Sequence, residues 1–236
     1  MTTTGTVAAC PSTVPFRPGA ALPGGRRPAP EDPMPHGENR YRQEVREFFG
    51  PRAAHWDTRF PDDCPAYAAG VAALELRPGD RVLDAGCGTG RALPALRSAV
   101  GAHGIVLGAD LTPEMLDAAA GAGRDVSASL LLADASRLPV GDAALDAVFA
   151  AGLISHVPAP ADSLAEWARA VRPGGRLALF HPVGRAVLAA RKGRALTPDD
   201  LRAEPNLRPL LAAAGWELAR YADEDDRYLA LAVRQG

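Results

Sequence analysis

Val82-Leu83-Asp84-Ala85-Gly86-Cys87-Gly88-Thr89-Gly90 is a short apolar run that ends on a carboxylate and then turns over three alternating glycines. Arg77-Pro78-Gly79-Asp80 places a turn in front of it, so the first strand reads Arg81 to Ala85. A glycine lacks Cβ, and such a turn between strand and helix lets backbone approach a bound nucleotide closely. The dinucleotide fingerprint is Gly-x-Gly-x-x-Gly, whereas here Gly86-x-Gly88-x-Gly90 runs into Arg91. A phosphate loop requires Gly-Lys-Ser or Gly-Lys-Thr, which the chain does not contain.

Outward from this turn, strand and helix patterns alternate in short units, as parallel strands joined by crossover helices do. Four more strands read as Ile105 to Ala109, Ser129 to Ala133, Ala144 to Ala150 and Arg176 to Phe180. Thr112-Pro113 puts a capping hydroxyl before a proline at a first helical position. Leu164, Trp167, Ala168 and Val171 form one apolar helix face. Thr197-Pro198-Asp199-Asp200 reads as a cap opening a helical region that runs to about Ala214. Trp216 to Tyr221 and Tyr228 to Val233, joined by the acidic turn Ala222 to Arg227, read as a hairpin. Upstream, Tyr41, Val45, Phe48 and Phe49 recur at helical spacing over Glu38 to Phe49, with Gly50-Pro51 as the stop. A second helix covers about Ala66 to Leu76. The expected fold is α/β: a mostly parallel seven-stranded sheet, helices on both faces, closing in an antiparallel hairpin.

With 236 residues the chain fits one α/β domain with a substantial core. Residues 1–36 are rich in Thr, Pro and Gly, with prolines at 11, 15, 18, 23, 28, 30, 33 and 35, and read as a disordered tail; Met34 could be the true start. Residues 37–236 then form the single domain, with 37–64 as a helical cap. A formal charge of -2 with dispersed basic residues argues against a duplex nucleic-acid binder. Cys10, Cys64 and Cys87 sit at unrelated spacings, so neither a disulfide framework nor a metal site is expected. No apolar run approaches the ~20 residues of a membrane span, and no secretory signal opens the chain. A cytoplasmic protein follows as the expectation. The bias to arginine over lysine and the abundant alanine fit a GC-rich bacterial genome.

The glycine turn resembles motif I of the class I S-adenosylmethionine-dependent methyltransferases, and later segments resemble the same family in order and spacing. Val106 to Leu116, containing Asp110-Leu111-Thr112-Pro113-Glu114-Met115, resembles the second motif. Leu131-Leu-Ala-Asp134-Ala135 resembles the third; Leu145 to Phe149 and Val171 to Leu179 resemble the segments at strands four and five. The resemblance covers about Glu38 to Arg234, within the broad group that includes ubiquinone and menaquinone methyltransferases. It implies a Rossmann-like fold and S-adenosyl-L-methionine as cofactor. Asp84, Gly86, Gly88 and Gly90 would cradle the methionine portion. Asp110 would accept from both ribose hydroxyls, with Leu111 and Met115 beside it. Asp134 would take the adenine amino group, and the Ala135 backbone the ring edge. Asp84 and Asp146 also admit a plainer reading as turn-capping residues.

Methyl transfer from a sulfonium is an in-line displacement, so the protein must chiefly position a nucleophile and exclude water. His156 and His181 follow strands four and five, and each reads either as the base or as a pocket-lining histidine. Trp56, in Ala53 to Phe60, stands where relatives carry tyrosine, and is either beside the sulfonium or in the core. Arg185, Arg191, Lys192 and Arg194 either meet an anionic group on the substrate or form a solvated face. The favoured acceptor is a small molecule, methylated at O, C or N. Protein or RNA modification, and noncatalytic cofactor binding, are the alternatives. Oligomeric state is not legible.

Overall fold

The computed structural model describes residues 36–59 and 63–236. Five strands occupy the expected regions, four of them to within a residue at each end: β1 (Arg81–Ala85), β2 (Ile105–Asp110), β3 (Ser129–Leu132), β4 (Leu145–Ala151) and, starting earlier than expected, β5 (Val171–His181). They are followed by β6 (Trp216–Glu224) and β7 (Arg227–Arg234) in one sheet of order β3-β2-β1-β4-β5-β7-β6. Strands β1 to β5 pair in parallel, and β7 pairs antiparallel with both β5 and β6. Successive residues of β1 feed opposite faces. Val82 packs with Leu93, Leu96, Phe149 and Phe180, while Leu83 packs with Leu164, Trp167, Leu207 and Trp216. Both faces are therefore closed, which is why the inner strands read as apolar runs rather than alternating ones.

Helices α3 (Cys64–Ala72) and α4 (Leu93–Val100) belong to the first face, and α6 (Pro160–Ala170) and α8 (Glu204–Ala213) to the second. Ahead of α3 lie α1 (His36–Phe49), a 3₁₀ turn (Gly50–His55) and α2 (Trp56–Arg59). The remaining helices are α5 (Pro113–Gly121) and α7 (Arg185–Arg191).

Several expected boundaries move. Gly50-Pro51 ends the α-helix but not the helical path, because a proline is acceptable in the first turn of the 3₁₀ segment that follows. Helix α3 stops at Ala72 rather than Leu76; Leu74 turns fully into the core and Glu75 takes φ 49°. Thr112 makes no capping hydrogen bond to α5, and Thr197 opens no helix: residues 197–203 form turns, with Asp200 accepting from the Arg202 amide at 2.9 Å. Strand β5 begins at Val171, because Pro173, Gly174 and Gly175 lie in a bulge opposite Leu145 to Ala147 rather than before the strand. The hairpin turn shrinks to Asp225-Asp226, since Glu224 and Arg227 still pair and form an ion pair at 2.8 Å. Cys64 is disulfide-bonded, against the expectation of unbridged cysteines, while Cys87 is free and buried. The proposed tail lies outside the described residues, apart from His36, which opens α1.

Candidate functional site

In this strand order β1 sits between β2 and β4, the point where the chain reverses its direction across the sheet and where open α/β sheets bind ligands beyond their carboxyl ends. A cavity of about 470 Å³ opens there. Three carboxylates reach it from three adjacent strands: Asp84 within β1, Asp110 at the end of β2, and Asp134 two residues beyond β3. The residues expected to bind cofactor, Gly86, Gly88, Leu111, Met115 and Ala135, line it too, as do Trp56, His156 and His181, whereas Gly90, Asp146, Arg185 and Arg194 do not.

Asp110 ties the glycine turn to its own strand. Its Oδ2 accepts from the Gly88 amide and its Oδ1 from the Thr112 amide, each at 2.8 Å. Burial pushes its carboxyl above the usual range, and these amide bonds oppose the shift. A carboxylate has about four lone-pair sites, so two remain for a ligand. Gly88 has φ 54°, and a Cβ there would meet nothing nearer than the Met115 sulfur at 4.0 Å. Its glycine is thus demanded by conformation, and the space above it is open. Gly90 serves differently, because a Cβ would lie 2.8 Å from Leu93, so the third glycine lets α4 pack under the turn.

Asp84 is 2 % exposed, and its Oδ1 has no hydrogen-bond partner. Burial, and then the charge of Asp110, push its carboxyl well up. An orphaned buried carboxylate oxygen at a cavity wall is costly without a donor from a ligand. Asp134 is better provided: Oδ1 accepts from the Ser136 amide at 2.9 Å, and Oδ2 from Arg42 Nε at 3.1 Å. Trp167, fully buried in α6, donates through Nε1 to the Ala135 carbonyl at 2.8 Å and fixes this loop from beneath. Burial also pushes the Cys87 thiol well up, so it is no thiolate nucleophile. Asp146 lies at the far end of β4, where it accepts from the Arg81 amide at 2.8 Å and from Arg172 at 2.6 Å. Burial alone would raise its carboxyl, but these donors outweigh it and hold it low, which makes the capping reading the right one.

Tyr41, Phe49 and Trp56 of the amino-terminal segment line this cavity. Arg46 donates to the Leu111 carbonyl at 3.0 Å, and Arg42 reaches Asp134 as above. Asp57 accepts from Thr89 Oγ1 at 2.7 Å and from Arg124 at 2.6 Å, stapling α2 to the glycine turn. Tyr41, pushed up to about 12 by burial and then by Asp134 and Asp110, also lines the wall. Arg91, 7 % exposed, pairs with Asp63 at 3.0 Å and lies over the Tyr67 ring at 5.6 Å. None of these carried a role in the sequence. Asp57 and Arg91 adjoin recognised positions, but their partners are tens of residues away.

Trp56, Phe49 and His156 form an aromatic series, with centroids 5.7 Å and 5.8 Å apart. Trp56 therefore stands at the cavity wall rather than in the core of the sheet. Burial lowers His156, helped by the nearby Lys192 and Arg202 charges. Burial lowers His181 further, to about 4, although its Nδ1 lies 3.1 Å from the Val183 carbonyl and 3.2 Å from the Val183 amide. Both rings are neutral near pH 7.

The model of a family described as Methyltransferase domain matches residues 83–179, from within β1 to within β5. A demethylmenaquinone methyltransferase of Mycolicibacterium vanbaalenii is 35% identical over 174 residues, 63% of this chain and 73% of that one. A 27-O-demethylrifamycin SV methyltransferase of Amycolatopsis mediterranei is 40% identical over 110 residues, 45% of this chain and 40% of that one. The chain spans less than half the length of several curated relatives it matches, 32%, 40% and 42% for three of them. Among solved structures, magnesium protoporphyrin IX methyltransferase from Synechocystis PCC 6803 with bound SAH superimposes with a TM-score of 0.62 at 18% identity, over 83% of this chain and 100% of that one, a likeness of fold.

Proposed function

Since the chain belongs to the class I S-adenosylmethionine-dependent methyltransferases, we propose that it transfers a methyl group from S-adenosyl-L-methionine to a small-molecule acceptor, at oxygen, carbon or nitrogen. The observation that carries this reading is the convergence of Asp84, Asp110 and Asp134, from three adjacent strands, on one cavity beside an open glycine backbone.

The cavity's residues fit the cofactor. A volume of 470 Å³ lies within the ~300–1,000 Å³ typical of small-molecule sites. The two acceptor sites left on Asp110 match a pair of adjacent ribose hydroxyls, and Leu111 and Met115 supply apolar wall beside them. Asp134 and the Ala135 backbone would meet the adenine edge, with Arg42 and Tyr41 covering it from α1. The orphaned Asp84 oxygen calls for a cationic or N–H donor, which the methionine ammonium provides. Gly86 and Gly88 would pass backbone close to that portion, while Gly90 acts through packing. The cofactor, when bound, supplies an electrophilic methyl group on a sulfonium.

Residues 37–64 would act as a cap that excludes water, held by the Asp57 staple and the Arg42 and Arg46 contacts. Trp56 would present its ring face to positive charge. His156 and His181, both neutral at pH 7, are able to accept a proton from a hydroxyl or amine acceptor. Small-molecule substrates are supported by the relatives named for demethylmenaquinone and demethylrifamycin.

Incubation with methyl-labelled S-adenosylmethionine and a bacterial extract, followed by separation of small-molecule, RNA and protein fractions, tests this. Label is expected in the small-molecule fraction. Label confined to protein or RNA overturns the substrate class, and tight cofactor binding with no transfer to any fraction overturns the enzymatic reading.

A further inference from the structure

Beyond the cofactor cavity lies a second one of about 430 Å³, on the β4, β5 and β7 side. Gly152, His156, His181, Leu188 and Lys192 line both cavities, so the two meet at the pair of histidines. Two features mark the second cavity as built for a ligand.

The first is an unanswered hydroxyl. Tyr228 is 1 % exposed, lines the cavity from β7, and its Oη has no hydrogen-bond partner. Its ring is fixed edge-on against Tyr221 at 5.8 Å, while the Tyr221 hydroxyl donates to the Arg202 carbonyl at 2.9 Å. One tyrosine of the pair is satisfied by the protein and the other is not. A buried hydroxyl without a partner costs about 1–3 kcal/mol, so a phenylalanine would serve packing better.

The second is the sign of the charge. Lys192, Arg194, Arg202 and Asp200 are the charged residues on the wall. Asp200 is spent on Arg202, at 3.2 Å, and on Arg185, at 3.4 Å. Arg185 is in turn held by Asp223 at 2.9 Å. Lys192 and Arg194 form no ion pair among the described residues. The basic stretch noted in the sequence therefore divides: Arg185 is structural, whereas Lys192 and Arg194 leave the cavity with an excess of positive charge. The same charge reaches the histidines, since Lys192 and Arg202 both act to lower them.

We propose that this second cavity is the acceptor subsite and that it takes a small organic oxyanion, a carboxylate or a phosphate, held by Lys192 and Arg194 and hydrogen-bonded by the Tyr228 hydroxyl. The assignment as acceptor rests on the methyltransferase reading; the preference for an anion rests on the cavity alone. Arg194 offers the planar fork that suits either oxyanion, and Lys192 stands between the anion and the cofactor side.

Calorimetry on the full chain, with and without S-adenosylhomocysteine, tests it with 4-hydroxybenzoate, phenyl phosphate and the neutral 4-hydroxybenzamide. One or both anions are expected to bind at least fivefold more tightly than the amide at 25 mM salt, and the gap should narrow at 500 mM. Lys192→Gln with Arg194→Gln should remove that gap, and Tyr228→Phe should weaken anion and amide alike. Equal binding of anion and amide, no saturation by either anion at 10 mM, or a gap that persists in the double variant would each overturn the proposal. Failure of S-adenosylhomocysteine to bind, with the anion preference intact, would instead overturn the methyltransferase reading and leave an anion site.

Discussion

Replacing Asp110 tests the cofactor site most directly, because the structure separates what the carboxylate does for the fold from what it has left for a ligand. Each oxygen already accepts one backbone amide at 2.8 Å, from Gly88 and Thr112, and each retains one lone pair. A hydrogen bond to a charged group contributes about 1.5–3 kcal/mol, and about 1.4 kcal/mol is a factor of ten. Asp110→Ala therefore costs about ten- to hundredfold in S-adenosylhomocysteine affinity if one ribose bond is lost, and roughly a hundredfold or more if both are. Asp110→Asn keeps the volume but has a single acceptor oxygen, so it must also release one of the two amides. The fold should survive, since removing a carboxyl that burial already disfavours offsets part of the cost of two unanswered amides. Calorimetry of both variants should be paired with a 2′,3′-dideoxy analogue of the ligand, after thermal melting shows that each is folded. Wild-type protein should lose affinity for the analogue, and Asp110→Ala should be nearly indifferent to it. An unchanged affinity in a folded variant, or an analogue that loses as much with Asp110→Ala as with wild type, refutes the assignment.

Asp84→Asn should weaken the cofactor and yet stabilise the ligand-free protein at neutral pH, because burial disfavours the charged carboxylate. The folded-state pKa is raised, so wild type loses stability as pH rises from near 4 through that value; urea melts at pH 5 and pH 8 should show the variant's advantage growing, and a constant difference would contradict this. His181 runs the other way. Its pKa is lowered to about 4 from 6.5, so stability present above pH 6.5 is lost as pH falls towards 4, by at most about 3 kcal/mol, and His181→Gln should remove that slope. A slope unchanged in the variant assigns the acid sensitivity elsewhere. Trp167→Phe removes the buried bond to the Ala135 carbonyl and should cost about 1–3 kcal/mol in denaturation together with some cofactor affinity; no change in either rejects the coupling between α6 and the Asp134 loop.

The parts of this molecule that could be read without coordinates are those whose signal is local. Arg81 to Ala85 ends where expected because a turn precedes it and the glycines follow it, and Asp110 and Asp134 are legible as residues closing strands beside that turn. Boundaries set by distant partners were not legible. Strand β5 starts at Val171 only because Leu145 on another strand pairs with it across a bulge, and Thr197 opens turns rather than a helix, with α8 beginning only at Glu204. The same rule divides the site. Asp57 clamps Thr89 from thirty-two positions away, and Tyr228 reaches the cavity of His156 from β7. No spacing rule connects such residues, whereas a glycine turn and the carboxylate beyond it are fixed by one crossover.

The charge distribution suits the two cavities to ligands of opposite sign. Asp84, Asp110 and Asp134 make one end acidic; burial raises the carboxyls of Asp84 and Asp110, and the Asp110 charge adds to the shift at Asp84. Lys192, Arg194 and Arg202 make the other end basic, and the Lys192 and Arg202 charges add to a lowering of His156 and His181 that burial chiefly causes. Cationic groups are favoured at the first end and anionic groups at the second, so a ligand placed in the wrong half meets like charge as well as poor shape. The two neutral imidazoles stand where these fields meet. Burial, helped by those cations, keeps both rings neutral at pH 7, so each presents an acceptor nitrogen without an acidic partner that would turn it into an imidazolium. An anion in the basic cavity would offset only the charge contribution to that lowering, while the larger contribution, burial, stays.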